Sequence, residues 1–353
     1  MTKPNSVKSK LHDEITTYMK NNTKWFEYLI NELPSSWENY NGFIVFSFPS
    51  FMSHIWLEAG PGIWQVICKS LKAHSIAIKG RIQNDSFRTP QACLVYGSSP
   101  VITYIDNKIR YSWNVEKTMF SAGNVTERHR IASLKCDNEV IVDLFAGIGY
   151  FTLPFLVHAN AKLVHACEWN PDAIDSLRRN LRLNKVEDKC KIYEGDNRKI
   201  SPKFVANRVN IGLIPSSEKF WKTACEALLP SGGILYVHQN ITSRISTNHG
   251  NCDFCKMLKE RIKCDLGGKI EVPKIKLSKN TDFEIEFGTD SCITWKHSEW
   301  FVFSIHLSHI LIGILENIHN YKWLVSVDDV VKVKSYAPHI DHLVYTVSCK
   351  PQN

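Results

Sequence analysis

From Val140 onward the chain alternates short apolar strands with helices, and that rhythm constrains the fold class before any motif is considered. The run Val140–Phe145 is broken only by Asp143, and a helix follows from about Tyr150. Then come a strand over 163–167, a helix opening at Asn170-Pro171, strands over 191–193 and 209–214, a helix over 219–229 and a strand over 234–237. Strands apolar on both faces need helices on both sides, which predicts an α/β fold with a doubly wound, Rossmann-like parallel sheet. The helix at 170 is also signalled chemically: Asn170 caps it, Pro171 fits its first turn and Asp172 meets the positive end of its dipole.

Upstream the pattern differs. Apolar residues recur at helical steps from Lys10 to Leu33, and Pro34-Ser35-Ser36 stops them. Residues 41–115 read as a small α+β module: a strand over 42–48, a short amphipathic helix over 63–71, and strands over 93–96 and 101–105 about the turn Gly97–Pro100, continuing through Asp106-Asn107 to 109–111. The expected organisation is a helical segment (1–36), an α+β RNA-binding module (37–115) and a catalytic domain (116–353) with a divergent stretch at about 250–330.

Hydrophobic residues at 44% and charged residues at 22% exclude a disordered or collagen-like chain. The surplus of 43 − 35 = +8 charges suits a polyanionic partner such as RNA without demanding one, and no DNA partner is expected. Eleven cysteines, an odd number without regular spacing, fit a reducing compartment. Met1–Lys20 lacks a signal-peptide core. The apolar stretch Trp300–Leu315 is broken by Ser304, His306, Ser308 and His309, so it reads as a buried helix or strand plus helix, not a membrane span. A cytoplasmic protein without a membrane partner is expected.

In doubly wound sheets ligands bind beyond the carboxyl ends of the strands. The first strand here ends in Asp143-Leu-Phe-Ala146-Gly147-Ile-Gly149-Tyr150-Phe-Thr152, where two glycines let a ligand approach the backbone. The second ends in Glu168, placed to accept both hydroxyls of a ribose, and the third runs into Gly195-Asp196-Asn197, an acceptor and an amide for an adenine edge. A dinucleotide loop wants a small residue where Thr152 stands, and the G-x-x-x-x-G-K triphosphate loop is absent. Asp143 repels phosphate but suits an ammonium group. S-adenosylmethionine, with ribose, adenine, ammonium and no phosphate, meets these conditions. The spacing Cys252-x-x-Cys255, with His249 and Cys264 nearby, lacks the second close pair of a zinc site, and no metal is expected.

The segments Asp143–Phe155, His165–Pro171, Gly195–Arg198 and Gly212–Ser217, with Lys117–Arg128 upstream and Val333–His342 near the end, together resemble the tRNA wybutosine-synthesizing protein 2 family. That family is related to the tRNA guanosine-37 N1-methyltransferases and shares the class I methyltransferase fold. The resemblance implies transfer of the 3-amino-3-carboxypropyl group of S-adenosylmethionine to C7 of 4-demethylwyosine, beside the anticodon of tRNA(Phe), with methylthioadenosine as by-product. It also implies cofactor contacts at Ser121, Arg128, Glu168, Asp196 and Asn197. Ser121 and Arg128 border the methionine end; the family usually has Lys at the latter position. Asp143, Ala146, Gly147 and Gly149 complete the expected cofactor set.

Leu213-Ile214-Pro215-Ser216-Ser217 lacks the Asn/Asp-Pro-Pro-aromatic turn that holds an exocyclic amine during methylation. The alternative reaction is methylation of N1 of the same purine. Tyr150 at the pocket mouth is the candidate partner for an unstacked base, with Pro215 and His339 on the acceptor side; His342 is a further candidate. Lys69, Lys72, Lys79 and Arg81 are candidate phosphate contacts. No catalytic acid or base is assigned.

Overall fold

The computed structural model describes residues 6–83, 85, 87–242, 276–277 and 298–352. They form two compact units, the first comprising Met1–Ser121, Gly147–Gly149 and Asn170–Lys185, and the second Ala122–Ala146, Tyr150–Trp169 and Val186–Asn353. The stretch 243–275, including His249, Cys252, Cys255 and Cys264, lies outside the described residues.

In the first unit, helix α1 (Val7–Asn22) starts at Ser6, whose Oγ accepts from the Ser9 amide. The helical period was expected to run to Leu33, but α1 stops at Asn22: the Thr23 amide and hydroxyl both donate to the Met19 carbonyl, and a separate 3-10 turn covers Glu27–Glu32. Strands β1 (Trp37–Tyr40) and β2 (Phe43–Ser47) are followed by helices α2 (Ile55–Glu58) and α3 (Gly62–Leu71). Strand β3 (Ser75–Ile82), missed in the sequence, pairs in parallel with β2 and antiparallel with β4 (Pro90–Tyr96). Leu11, Ile15 and Met19 of α1 share a core with Ile63 and Ile67 of α3 and Ile44 and Phe46 of β2. Strands β5 (Val101–Asp106) and β6 (Ile109–Asn114) form a separate hairpin. After it, Phe120 stacks on Trp113 at 4.4 Å and packs against Tyr40 and Tyr104.

The second unit opens with α4 (Val125–Ala132), β7 (Val140–Asp143), α5 (Thr152–Val157) and β8 (Leu163–Glu168). The following helix α6 (Pro171–Leu183), capped by Asn170 as expected, belongs with the first unit. There Asn180 receives the Ser112 amide of β6 and donates to the Ile148 carbonyl, pinning the 147–149 segment.

The second unit continues with β9 (Cys190–Glu194), α7 (Asn197–Ile200), β10 (Arg208–Ile211), α8 (Trp221–Ala227), β11 (Gly233–Thr242), β12 (Lys276–Leu277), α9 (Ser298–His319), β13 (Trp323–Ala337) and β14 (Ile340–Pro351). Its sheet has the order β12-β13-β14-β11-β10-β7-β8-β9. The five strands from β11 to β9 are mutually parallel, as predicted. The edge is not: β14 runs antiparallel to β11, and β13 antiparallel to β14. Three register irregularities in β13 break its two-residue period, which hid this hairpin from the sequence.

Trp300–Leu315 falls within the single helix α9, with Leu307, Leu311 and Leu315 buried against Trp221 and Val347. The Ser304 hydroxyl returns to the Trp300 carbonyl, so a polar residue is tolerated in this apolar run. Among the described residues no helix is long and apolar enough to cross a membrane.

Candidate functional site

The carboxyl ends of β7, β8 and β9, in the second unit, carry several of the candidate residues. Asp143, the last residue of β7, is fully buried. Its Oδ2 accepts from the Thr152 hydroxyl at 2.8 Å and its Oδ1 from Asn210 Nδ2 at 3.0 Å. Burial pushes its carboxyl upward, while these donors pull it back toward ionisation. Thr152 therefore has a definite task at the position where a dinucleotide loop has a small residue: it ties the start of α5 to the end of β7. Both Asp143 oxygens are thus engaged by the protein's own donors. The structure shows Asp143 anchoring the start of α5 and the end of β10 to the end of β7.

Between these anchors Gly147 and Gly149 take φ of +56° and +100°, a conformation that penalises a side chain. The buried Ala146 donates its amide to the Cys167 carbonyl, tying the loop to β8. Glu168 ends β8; its Oε1 accepts from the Trp169 amide and its carbonyl from the Gly195 amide, so the second and third strand ends are joined. Gly195 at φ +135° turns the chain into α7. Asp196 caps that helix and grips Arg198 at 2.6 Å, which draws its carboxyl below the usual range. Asn197 is 6% exposed, with Nδ2 donating to the Leu144 carbonyl at 2.7 Å. Its buried Oδ1 has no partner among the described residues. A buried acceptor left unpaired costs about 1–3 kcal/mol. An adenine amino group is the kind of donor that would satisfy it, so these residues fit an adenosyl ligand.

Arg128 is almost fully buried on α4. Its helix is held by a neighbouring ion pair: Glu127 takes Arg130 through two 2.7 Å bonds, and the Arg130 guanidinium lies 4.9 Å from the Tyr236 ring. Burial raises the Glu127 carboxyl and Arg130 opposes it. Ser121, half-buried, closes the first unit together with Lys117, which pairs with Asp172 at 2.9 Å.

Tyr150 is half-buried just before α5. The carbonyl of Pro215 accepts from the Asn240 amide, and the Ser217 hydroxyl bonds the His238 carbonyl and Trp221 Nε1, so this turn is fastened to β11 and α8. His339 sits exposed at the tip of the β13–β14 hairpin at φ +61°. The buried histidine of that run is His342, 1% exposed, whose Nε2 meets His238 Nδ1 at 3.1 Å. Sequence reading missed His238, Asn210 and the role of Thr152. The available signal was a polar residue inside an apolar strand, as in Val209-Asn210-Ile211 and Val237-His238. In the first unit Lys69, Lys72 and Arg81 are exposed, while Lys79 is paired with Glu38 at 2.6 Å. No metal-ligating cluster occurs among the described residues.

Two family models match the chain: the TRM5/TYW2 methyltransferase domain over residues 103–266 and the TYW2 N-terminal domain over residues 15–100. A tRNA wybutosine-synthesizing protein 2 homolog from Danio rerio is 38% identical over 99% of this chain and 80% of its own length. The Homo sapiens homolog is 38% identical over 98% of this chain and 76% of its own. The crystal structure of P. horikoshii TYW2 in complex with MeSAdo superposes with a TM-score of 0.61 at 22% identity, covering 96% of this chain and 99% of that one, and it shares the fold. The first model is common to two kinds of tRNA enzyme and the second is particular to one, and with the near full-length relatives they establish that this chain belongs to the tRNA wybutosine-synthesizing protein 2 family.

Proposed function

We infer that the chain is an S-adenosylmethionine-dependent tRNA aminocarboxypropyltransferase of wybutosine biosynthesis, acting on C7 of 4-demethylwyosine beside the anticodon of tRNA(Phe). The observation that carries this reading is the near full-length relationship to proteins named for wybutosine synthesis, through the N-terminal module as well as the catalytic domain. The turn at Pro215 supports it over amine methylation: its carbonyl and Ser217 hydroxyl are committed to β11 and it offers no side-chain amide.

The bound sulfonium supplies an activated γ-carbon for attack by the acceptor carbon. The protein's own part is positioning. The Glu168 carboxylate accepts the ribose hydroxyls, and Asn197 Oδ1 accepts from the adenine amino group beside Asp196. The backbone from Ala146 through Gly147 and Gly149 lets the ligand approach, and the Asp143–Thr152–Asn210 bonds hold the strand end that precedes it. Arg128 and Ser121 border the methionine end, and Tyr150 is the stacking partner for the unstacked base. The exposed Lys69, Lys72 and Arg81 are phosphate contacts, with Lys79 weakened for that role by Glu38.

Incubation with S-adenosylmethionine labelled in the adenosine moiety and tRNA(Phe) carrying 4-demethylwyosine tests the reaction. Methylthioadenosine is the expected by-product; S-adenosylhomocysteine would establish N1 or other methylation and overturn the reading.

A further inference from the structure

One face of the second unit's sheet carries polar atoms that the function described above does not use. Asn210 is in register with Tyr236, His238 is two residues further along β11, and Asn240 faces His342 across the β11–β14 ladder. Side chains at alternate positions share a face, so Asn210, His238, Asn240 and His342 all project to one side. All four residues are at least partly buried, and each has a buried side-chain atom without a hydrogen-bond partner among the described residues: Asn210 Oδ1, His238 Nε2, Asn240 Oδ1 and His342 Nδ1. Buried polar atoms are normally paired, and four unpaired ones on one face point to a polar ligand.

Their location is that of the acceptor side. The Asn240 amide bonds the Pro215 carbonyl, which sets His342, its cross-strand partner, level with that turn. The Phe151 ring, next to Tyr150, lies 5.2 Å from the His238 ring. Lys334 faces His342 from β13, and Arg130 approaches His238 from α4.

We propose that His342 takes the proton released from the acceptor carbon, and that His238 is the positioning residue that fixes its tautomer. This rests on the functional reading above. In the transfer, acceptor C7 bonds to the γ-carbon of the donor as the sulfonium S–C bond breaks, and that bond's electron pair leaves on methylthioadenosine. The ring then holds a C7–H and one positive charge. Loss of that hydrogen as a proton to a bare imidazole nitrogen returns the C–H electron pair to the ring.

The pair supplies such a nitrogen. With His342 Nε2–H donating to His238 Nδ1 across 3.1 Å, His342 Nδ1 is left bare. Burial and the nearby Lys334 push His342 down to about 4; burial, then His342 and Arg130, keep His238 well below its usual range. Both imidazoles are therefore neutral at pH 7. A weak base suffices against a cationic ring carbon, and it returns its proton to water once product leaves.

Steady-state and single-turnover assays of H342A, H238L and H238Q, alongside the parent and with a C7-deuterated acceptor, test this. H342A should lower kcat about 100-fold or more, within the range for loss of a general base, while calorimetry shows an unchanged Kd for S-adenosylmethionine. A primary deuterium isotope effect should emerge in H342A, added imidazole should restore turnover, and H238Q, which keeps an acceptor, should outperform H238L. Nitrogen-15 spectra of the parent should show two neutral histidines at pH 7 that share a proton. A kcat within threefold of the parent, loss without isotope effect or imidazole rescue, or an imidazolium in the parent at pH 7 each overturns the assignment. Failure of the parent to form methylthioadenosine refutes the functional reading instead.

Discussion

Replacing Thr152 by Val keeps the shape of the side chain and removes one hydroxyl, so it isolates the anchor at the end of β7. In the native chain that hydroxyl donates at 2.8 Å to a carboxylate with no solvent exposure; the other side-chain donor is Asn210 at 3.0 Å, and the Thr152 amide also bonds the carboxylate and is kept in the variant. The Phe145 amide, at 3.4 Å, is too long to take over. A hydrogen bond to a charged group contributes about 1.5–3 kcal/mol, and burial means water cannot replace it. A double-mutant cycle of T152V, D143A and the double variant, followed by urea unfolding at pH 7, should give a coupling energy of about 1.5–3 kcal/mol. The Asn210 amide is left unpaired in both D143A backgrounds, so its cost cancels. A coupling below about 0.5 kcal/mol, the scatter expected of independent sites, would refute the reasoning.

Two further outcomes follow from the same geometry. Glu168→Ala should weaken S-adenosylmethionine binding about 10- to 100-fold by calorimetry, the loss of charge-assisted bonds to ribose hydroxyls; a Kd within threefold of the parent removes Glu168 from the site. The buried histidines should make the fold acid-sensitive. His342 titrates at about 4 folded against 6.5 unfolded, so the unfolded chain binds more protons between these values and stability falls as pH drops through that window. From pH 7 to 5.5 His342 contributes a loss of about 1 kcal/mol, and His238 acts with the same sign. Thermal melts should therefore fall more steeply on acidification for the parent than for H342N; parallel slopes would mean that His342 is not buried in its neutral form.

The parallel core, the helix start at Asn170 and the glycine loop were legible because they depend on local rules: two-sided burial of short strands, capping chemistry and positive-φ glycines. So was the third-position threonine as a departure from a dinucleotide loop, though not its reason. That reason is Asp143, nine residues earlier, and Asn210, on a strand 67 residues away from Asp143. The same limit explains why Asn197 is legible as a candidate site residue while its division of labour is not. Its amide nitrogen serves Leu144, and only the oxygen remains for a ligand.

The clearest division lies in the run Pro338-His339-Ile340-Asp341-His342. Composition places two histidines near the chain's end, and no local rule chooses between them. The hairpin turn leaves His339 exposed at left-handed φ, whereas strand alternation carries His342 into the sheet opposite Asn240 and against His238, 104 residues away. Local residue chemistry determines which elements form and where a ligand can approach the backbone. Only strand register across the β11–β14 ladder determines which distant polar groups meet, because pairing is set by long-range burial and not by neighbours in the chain.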